Sequence, residues 1–276
     1  MEWHRTALQL FQQYLVNERY LCFVSQITER EVRGWMANLR STPASTGASR
    51  SAATIGTYAR SARAWCHWLI HIGALERPPL DKGMVPRAEK EAIRVLETEE
   101  FERLLLACRA GGEGGPSGEW ATARNRAILW VLLDTGMRLF ELRNRRLGDV
   151  DREQRALRVQ CKGGTTRWLT LSTNGWYQLL SYRERYRLAG ECSEVERSEQ
   201  ASLFLSEWYH PLTKNAITLL FVRLRKRAGM SDQPVTPSVL RDTFAVRYLE
   251  AGGRLESLCE VLGLRPCFAN SKGPRV

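Results

Sequence analysis

Apolar residues recur at intervals of three and four along most of the chain, and this spacing predicts a mainly helical protein. Three helices are predicted in the first part, at residues 6–18, 28–40 and 52–73. In the third helix the repeat runs through Ile55, Ala62 and Leu69. After residue 90 the pattern predicts a helix capped by Thr98, and further helices at 121–136, 137–147, 174–188, 213–228, 237–251 and 255–263.

Strict alternation of apolar and polar residues interrupts the helical pattern at one place. Leu157, Val159 and Cys161 alternate in the first run, Leu169 and Leu171 alternate in the second, and Gly163 and Gly164 lie between the two. This pattern predicts a β-hairpin with Lys162 beside its turn. The expected fold class is therefore mainly α with a small β-hairpin or sheet.

Three stretches rich in Gly, Pro or Ser break the periodic pattern, at residues 41–53, 77–90 and 111–119. The middle one has three prolines and mixed charges, and it separates a wholly helical segment from a mixed one. We therefore expect a helical domain at 1–80, a linker at 81–95 and a second domain at 96–276.

Composition narrows the class of protein. The net charge is +11, divided as +5 over residues 1–90 and +6 over residues 91–276, which favours a polyanionic partner. The seven cysteines are scattered without CxxC spacing, which argues against a disulfide framework and a zinc site. No apolar run approaches the ~20 residues that span a bilayer, and the N-terminus is predicted to be a helix and not a signal peptide. A cytoplasmic protein is expected.

The predicted helix at 237–251 carries a charge at the edge of its apolar stripe. Thr236 suits the N-cap, Pro237 suits the first helical position, and Arg241 lies one turn before Phe244. Leu249 continues the stripe. The Arg241 guanidinium either extends past the core to water or a carboxylate, or faces a cleft that holds an anion. The helix alone leaves both interpretations open.

Four motifs, in order, resemble the tyrosine recombinase family, the phage-integrase type of site-specific recombinase. They are TGMRLFEL at 135–142, CKGG at 161–164, TPSVLRDTFA at 236–245 and LGL at 262–264. The resemblance covers nearly the whole chain. It implies an N-terminal helical core-binding domain that contacts DNA, and a catalytic-type domain at 96–276.

The resemblance also implies a chemistry. In the family a tyrosine attacks a DNA phosphodiester without metal or cofactor, and two arginines stabilise charge on the phosphoryl oxygens. Arg138 and Arg241 match those arginines, and Lys162 matches the lysine that protonates the leaving oxygen. Each guanidinium can donate two parallel hydrogen bonds to an anion, and this suits the role. Glu141 either orients Arg138 from one turn away or is an exposed helix carboxylate.

The chain departs from the family pattern at three positions. A histidine is usual where Ser238 lies, and a histidine or tryptophan where Leu264 lies. The nucleophilic tyrosine is expected near Gly273, yet the last tyrosine in the sequence is Tyr248. We therefore expect a homologue that cannot cleave DNA by itself, either degenerate or C-terminally truncated, or specialised for binding.

Residues Thr57, Arg60 and Arg63 fall outside the apolar stripe of their helix, and they form either a solvated face or a DNA contact. The expected partners are double-stranded DNA and other recombinase protomers, at the nucleoid. Two alternatives remain: cleavage with a tyrosine supplied in trans, and a basic helical scaffold that binds protein or RNA. A type IB topoisomerase fits the two-domain layout and the TGMR context less well.

Overall fold

Two structural units divide the chain, Met1–Glu91 and Ala92–Val276. The computed structural model describes residues 2–44, 47–86, 92–109, 116–160, 164–188 and 197–264. Lys162 and Gly273, singled out from the sequence, lie outside these described residues.

The first unit is built from three helices. These are α1 (Glu2–Gln13), continued by a π-helical turn at Tyr14–Glu18, then α2 (Glu29–Ser41) and α3 (Ala52–His71). Polar side chains fix where α2 and α3 begin. Glu31 accepts a hydrogen bond from the Thr28 backbone N–H at 3.2 Å, and the Ser51 hydroxyl accepts one from the Thr54 backbone N–H at 3.2 Å.

The core of the first unit forms around aromatic rings from all three helices. The centre of the Phe11 ring lies 4.6 Å from the centre of the fully buried Trp35 ring. It lies 6.2 Å from the centre of the Trp65 ring, which it meets edge-on. Ile55 and Leu80 are also buried there. The predicted stripe of α3 is buried at Ile55, Ala62 and Leu69. The helix was predicted to extend to residue 73, but α3 ends at His71, and Ile72 is 52% exposed.

The second unit surrounds one central helix. Its helices are α4 (Thr98–Ala107), α5 (Pro116–Thr135), α6 (Leu139–Arg143), α7 (Thr173–Tyr182, with a π-helical turn at Arg183–Arg187), α8 (Lys214–Arg227), α9 (Pro237–Glu250) and α10 (Leu255–Val261). Helix α5 packs against α7 and α9, and its residues around Ile128 and Leu132 are fully buried. A helix that is apolar on most sides belongs at the centre of a core.

A small antiparallel sheet covers one side of this core. Its strands lie in the order β1 (Val150–Asp151), β2 (Ala156–Gln160) and β3 (Thr166–Thr170). Leu157 is paired with Leu169, and Val159 with Arg167. Strands β2 and β3 thus confirm the predicted hairpin. Strand β1 was not predicted, because two residues are too few to show an alternating pattern in the sequence. The fold is mainly α with a three-stranded sheet.

Several predicted helix limits were wrong. Glu97, and not Thr98, is the N-cap of α4, where its backbone N–H donates to Glu100 at 3.0 Å. The helix predicted at 137–147 is only five residues long, because Arg138 is its N-cap and Asn144 its C-cap.

Within the described ranges, no helix has the length and hydropathy needed to cross a membrane.

Candidate phosphate-binding site

A sharp turn after α5 places Arg138 at the start of α6. Gly136 has a φ of +57°, and its backbone N–H donates to the Leu132 carbonyl at 3.0 Å. A Cβ at this position would lie 2.5 Å from Phe244 and 2.8 Å from Leu262. Glycine is therefore required twice, for the left-handed conformation and for the close approach of α9 and the end of α10.

Helix α9 holds Arg241 against this turn. The Thr236 hydroxyl caps the helix by accepting a hydrogen bond from the Val239 backbone N–H at 3.3 Å. Arg241 is half-buried; its Nη1 donates to the Gly136 carbonyl at 2.5 Å and its Nη2 donates to the Leu262 carbonyl at 2.8 Å. The guanidinium therefore faces inward and takes backbone carbonyls as acceptors, and not a carboxylate.

The two predicted arginines meet at one oxygen. Arg138 donates from Nη1 to the Leu262 carbonyl at 3.2 Å, the same oxygen that accepts from Arg241, and from Nη2 to the Gly263 carbonyl at 3.3 Å. Its side chain is 43% exposed. Both guanidiniums thus lie at the C-terminal end of α10, and Arg138 remains open to solvent.

Glu141 lies beneath Arg138 and is 7% exposed. It accepts hydrogen bonds from the Arg138 backbone N–H at 2.7 Å and from Arg138 Nη1 at 3.3 Å. This contact decides between the two interpretations of Glu141, because a buried carboxylate bonded to the guanidinium orients it. The same carboxylate also closes the N-terminus of α6 as a capping box.

A third arginine, Arg167, belongs to the same cluster and was missed by the sequence reasoning. From β3 its Nη2 donates to both carboxylate oxygens of Glu141, at 3.0 Å each, and its side chain is only 10% exposed. The available signal was alternation, since Arg167 shares a strand face with Leu169, whose side chain is buried. A charge at an inward strand position requires a charged or hydrogen-bonding partner in the core.

The site therefore combines three guanidinium groups with one carboxylate. Burial lowers the pKa of Arg241, and the positive charge of Arg138 lowers it further. A guanidinium nevertheless remains charged at any ordinary pH. We name Arg138, Arg167, Arg241 and Glu141 the arginine cluster. Its net charge is positive, and this suits it to bind an anion.

Two of the three positions that depart from the family pattern, Ser238 and Leu264, lie near this cluster in the sequence of its elements. Ser238 is exposed on the first turn of α9, one turn before Arg241. Leu264 is 44% exposed and directly follows Gly263, whose carbonyl accepts from Arg138. A hydroxyl and an alkyl group thus occupy the places where the resemblance implies proton-handling or phosphate-binding rings.

The three candidate DNA-contact residues of the first unit differ in exposure. Arg60 is exposed and donates to the Thr57 hydroxyl at 2.9 Å, while Thr57 itself is half-buried and donates to the Ala53 carbonyl at 2.9 Å. Arg63 is half-buried as well, and its Nε atom is buried with no hydrogen-bond partner among the described residues. Of the three, Arg60 presents the most accessible side chain.

The chain is similar in sequence to tyrosine recombinases. The family model described as the phage integrase family matches residues 94–265, more than half of the chain. The tyrosine recombinase XerD of Listeria innocua is 26% identical over 258 residues, covering 93% of this chain and 80% of the relative. The tyrosine recombinase XerC of Roseiflexus castenholzii is 28% identical over 261 residues, covering 94% and 77%.

Solved structures share the fold. A lambda integrase dimer bound to a core site has a TM-score of 0.70 at 16% identity and covers 99% of this chain and 90% of that one. XerH recombinase bound to palindromic difH substrate has a TM-score of 0.70 at 19% identity, with coverage of 96% and 72%. The Tn1549 transposon integrase in complex with circular intermediate DNA has a TM-score of 0.67 at 19% identity, with coverage of 93% and 91%. These structures show the same fold, and the matched family model shows that the chain belongs to the phage integrase family of tyrosine recombinases.

Proposed function

We propose that this chain binds double-stranded DNA, that the arginine cluster holds a backbone phosphate, and that the 276-residue polypeptide does not cleave that phosphate by itself. The observation that carries the proposal is the convergence of Arg138 and Arg241 on the Leu262 carbonyl oxygen, at 3.2 and 2.8 Å. Two guanidiniums that reach one carbonyl oxygen are also placed to reach one phosphoryl oxygen.

The cluster keeps its arginines in place without a ligand. Each guanidinium has five N–H donors, and the carbonyls of Gly136, Leu262 and Gly263 accept only some of them. Glu141 fixes Arg138 and Arg167 from below. Because the groups are already ordered, a phosphate meets a preformed set of donors, and less free energy goes into arranging them on binding.

The absence of independent cleavage follows from the groups around the phosphate. Ser238 and Leu264 supply no ring nitrogen, and no tyrosine follows Tyr248 in the 276 residues. In our proposal Lys162 is the general acid, and it alone cannot replace a nucleophile. Binding and charge stabilisation are retained, while the group that would attack phosphorus is not.

The proposed partners follow from the relatives. The lambda integrase structure is described as a dimer on a core site, and the XerH structure holds difH substrate. By analogy we propose duplex DNA and further recombinase protomers as partners, at the nucleoid in the cytoplasm.

We further propose that residues 1–80 form the core-binding domain, residues 81–95 the linker and residues 96–276 the catalytic-type domain. In that first domain Thr57, Arg60 and Arg63 are the proposed DNA contacts.

Binding is tested with Arg138→Gln and Arg241→Gln, measured by fluorescence anisotropy on duplex DNA over a range of salt concentrations. The slope of log K against log salt is expected to fall by about 0.9 for each phosphate contact removed. The control is Arg254→Gln, an 81% exposed arginine paired with Glu256 at 3.6 Å. Wild-type protein that shows no salt-dependent duplex binding, while an RNA or a protein partner co-purifies, would favour the scaffold alternative instead.

Cleavage is tested on a nicked suicide substrate. We expect no covalent protein–DNA adduct from the chain alone, and an adduct formed by the chain alone would overturn the proposal. Mixing the chain with an active relative tests the alternative that a second protomer supplies the tyrosine in trans. That alternative requires cleavage in the mixture beyond that of the relative alone, and this extra cleavage must be lost when Arg138 of this chain is replaced.

A further inference from the structure

Two histidines lie one turn apart at the C-terminal end of α3, in the first unit. His67 and His71 are both exposed, and both belong to the regular helix Ala52–His71. Residues four apart on a helix project from the same face, with about 5–6 Å between their Cβ atoms. Two imidazoles at this spacing can reach one metal ion, as two histidines at i and i+4 do in helical zinc sites. We name His67 and His71 the histidine pair.

The end of the helix that carries the pair is well defined. Gly73 has a φ of +75°, and its backbone N–H donates to the Ile70 carbonyl at 3.0 Å. The Ala74 backbone N–H donates to the Leu69 carbonyl at 2.8 Å. These two bonds close the last turn as a Schellman motif. His71 is therefore held in helical geometry, and the backbone fixes the spacing of the pair.

Packing of the opposite face turns the pair toward solvent. Cys66 and Leu69, which come from the same two turns, are 0% and 4% exposed, so α3 is anchored through its other side. Ala64, three residues before His67, is exposed and too small to cover the imidazole. A metal ion can therefore approach the pair directly from solvent.

Both imidazoles are available as ligands. Neither ring has a hydrogen-bond or ion-pair partner within the part of the chain that the structure describes. No internal bond has to be broken before a ring nitrogen binds a metal, and neutral imidazole is a common metal ligand. The position also favours a cation, because the last turn of a helix carries partial negative charge.

The donor atoms select the class of metal. Imidazole nitrogen suits Zn²⁺, Ni²⁺ and Cu²⁺, whereas Mg²⁺ and Ca²⁺ prefer oxygen ligands. Within the described ranges, no third His, Cys, Asp or Glu joins the pair in a group that could hold a metal ion. Zn²⁺ usually takes four ligands, so water fills the other positions. The scattered cysteines argue against a cysteine zinc site, and the pair needs no thiolate.

We propose that His67 and His71 chelate one divalent transition-metal ion, Zn²⁺ first among them, through one ring nitrogen each. The site lies in the first unit, while the arginine cluster lies in the second, and it does not depend on the proposed DNA binding. Because the bound ion links two successive turns, it stabilises the C-terminal end of α3. With only two protein ligands, the ion remains exchangeable with solvent.

The test is a titration of Zn²⁺ into the full chain, followed by NMR of ¹⁵N-labelled histidine side chains. The four histidines are at positions 4, 67, 71 and 210, so His4 and His210 are internal controls. We expect the signals of His67 and His71 to move together and to saturate at one ion per chain, before the controls change. Zinc that binds only thiols leaves all four signals in place and would overturn the proposal. One ion per two chains would overturn the single-chain chelate.

His67→Gln and His71→Gln each leave one imidazole of the pair. Because a second linked ligand raises affinity by about 100-fold or more, each variant should weaken Zn²⁺ binding by about 100-fold. The matched control is His4→Gln, which replaces an exposed histidine outside the pair and should leave the affinity unchanged. If either pair variant binds Zn²⁺ as tightly as wild type, the two histidines do not chelate.

Folding of each variant is checked by circular dichroism and urea unfolding without metal. Both side chains are exposed and glutamine suits a helix, so we expect the unfolding curves of all three variants to match that of wild type. Added Zn²⁺ should then raise the unfolding midpoint of wild type and His4→Gln more than that of His67→Gln or His71→Gln. Equal shifts in all four proteins would also count against the histidine pair.

Discussion

Replacing Glu141 by glutamine should destabilise the second unit strongly, although the change preserves the shape of the side chain. The Glu141 carboxylate is the only acidic group bonded to Arg138 and Arg167 among the ion pairs of the described residues. Glu141→Gln removes its negative charge and exchanges one acceptor oxygen for a donor that faces arginine. The positive charges of Arg138 and Arg167 would then lose this carboxylate.

The magnitude follows from burial. The Glu141 and Arg167 side chains are 8% and 10% exposed, and breaking such a buried pair on one side costs about 3–5 kcal/mol. The contact with Arg138, whose side chain is 43% exposed, adds less than about 1 kcal/mol. Because glutamine keeps one acceptor oxygen, we expect about 3 kcal/mol, or a fall in Tm of about 6–12 °C for a domain of this size.

Urea and thermal unfolding measure this loss, with Glu99→Gln as the control. Glu99 is exposed in the first turn of α4, so its loss removes only a helix-dipole contribution of about 0.3–1 kcal/mol. A double-mutant cycle with Arg167→Gln then isolates the pair, for which we expect a coupling free energy above about 1 kcal/mol. A Glu141→Gln loss no larger than that of Glu99→Gln, or additive variants, would refute the reasoning.

Three further predictions concern other parts of the molecule. Gly263→Ala should weaken DNA binding more than Gly252→Ala. Both residues have positive φ, but a Cβ at Gly263 would lie 2.5 Å from Arg167 Nη1, while a Cβ at Gly252 would meet nothing within 4 Å. Equal affinities of the two variants for DNA would contradict this prediction. Burial raises the pKa of the Asp134 carboxyl above its ordinary 3.8, because the folded protein favours the neutral form. The resulting stabilisation is complete below pH 3.8 and is lost as pH rises through the raised pKa. The stability of Asp134→Asn relative to wild type should therefore increase as pH rises above 3.8, and urea unfolding that gives the same difference at acidic and neutral pH would contradict the raised pKa. Burial raises the pKa of Cys66 to about 11 and of Cys108 to about 12, so mass spectrometry after brief alkylation of the folded protein should find both thiols unmodified.

Local features of the sequence predicted much of the secondary structure. The pair Thr236–Pro237 predicts the start of α9, and Gly136 predicts the end of α5, because caps and left-handed glycines act through bonds within one turn. Strand alternation predicts β2 and β3 because successive side chains of a strand point to opposite faces, of which one is buried. The resemblance placed Arg138 and Arg241 in one site, and the structure brings their guanidiniums to one carbonyl oxygen.

Other features depended on contacts between distant parts of the chain. Leu249 continues the apolar stripe of α9 in sequence, yet it is 42% exposed, while Thr243 is fully buried and its hydroxyl donates to the Val239 carbonyl at 2.8 Å. The sequence of a helix does not define the limits of its buried face, because these depend on which element packs against it. Periodicity therefore predicts a buried face and leaves its limits open.

The arginine cluster shows the same division. The sequence predicted most of the helices and the β2–β3 hairpin, and the family motifs implied a phosphate-binding role for Arg138 and Arg241. Packing in three dimensions buries Glu141 under Arg138, brings in Arg167 from β3, and places the carbonyls at the end of α10 against the guanidiniums. The reason is physical: apart from the local contact between Arg138 and Glu141, these bonds join residues 21 to 125 positions apart, where no local propensity acts and only packing brings the partners together.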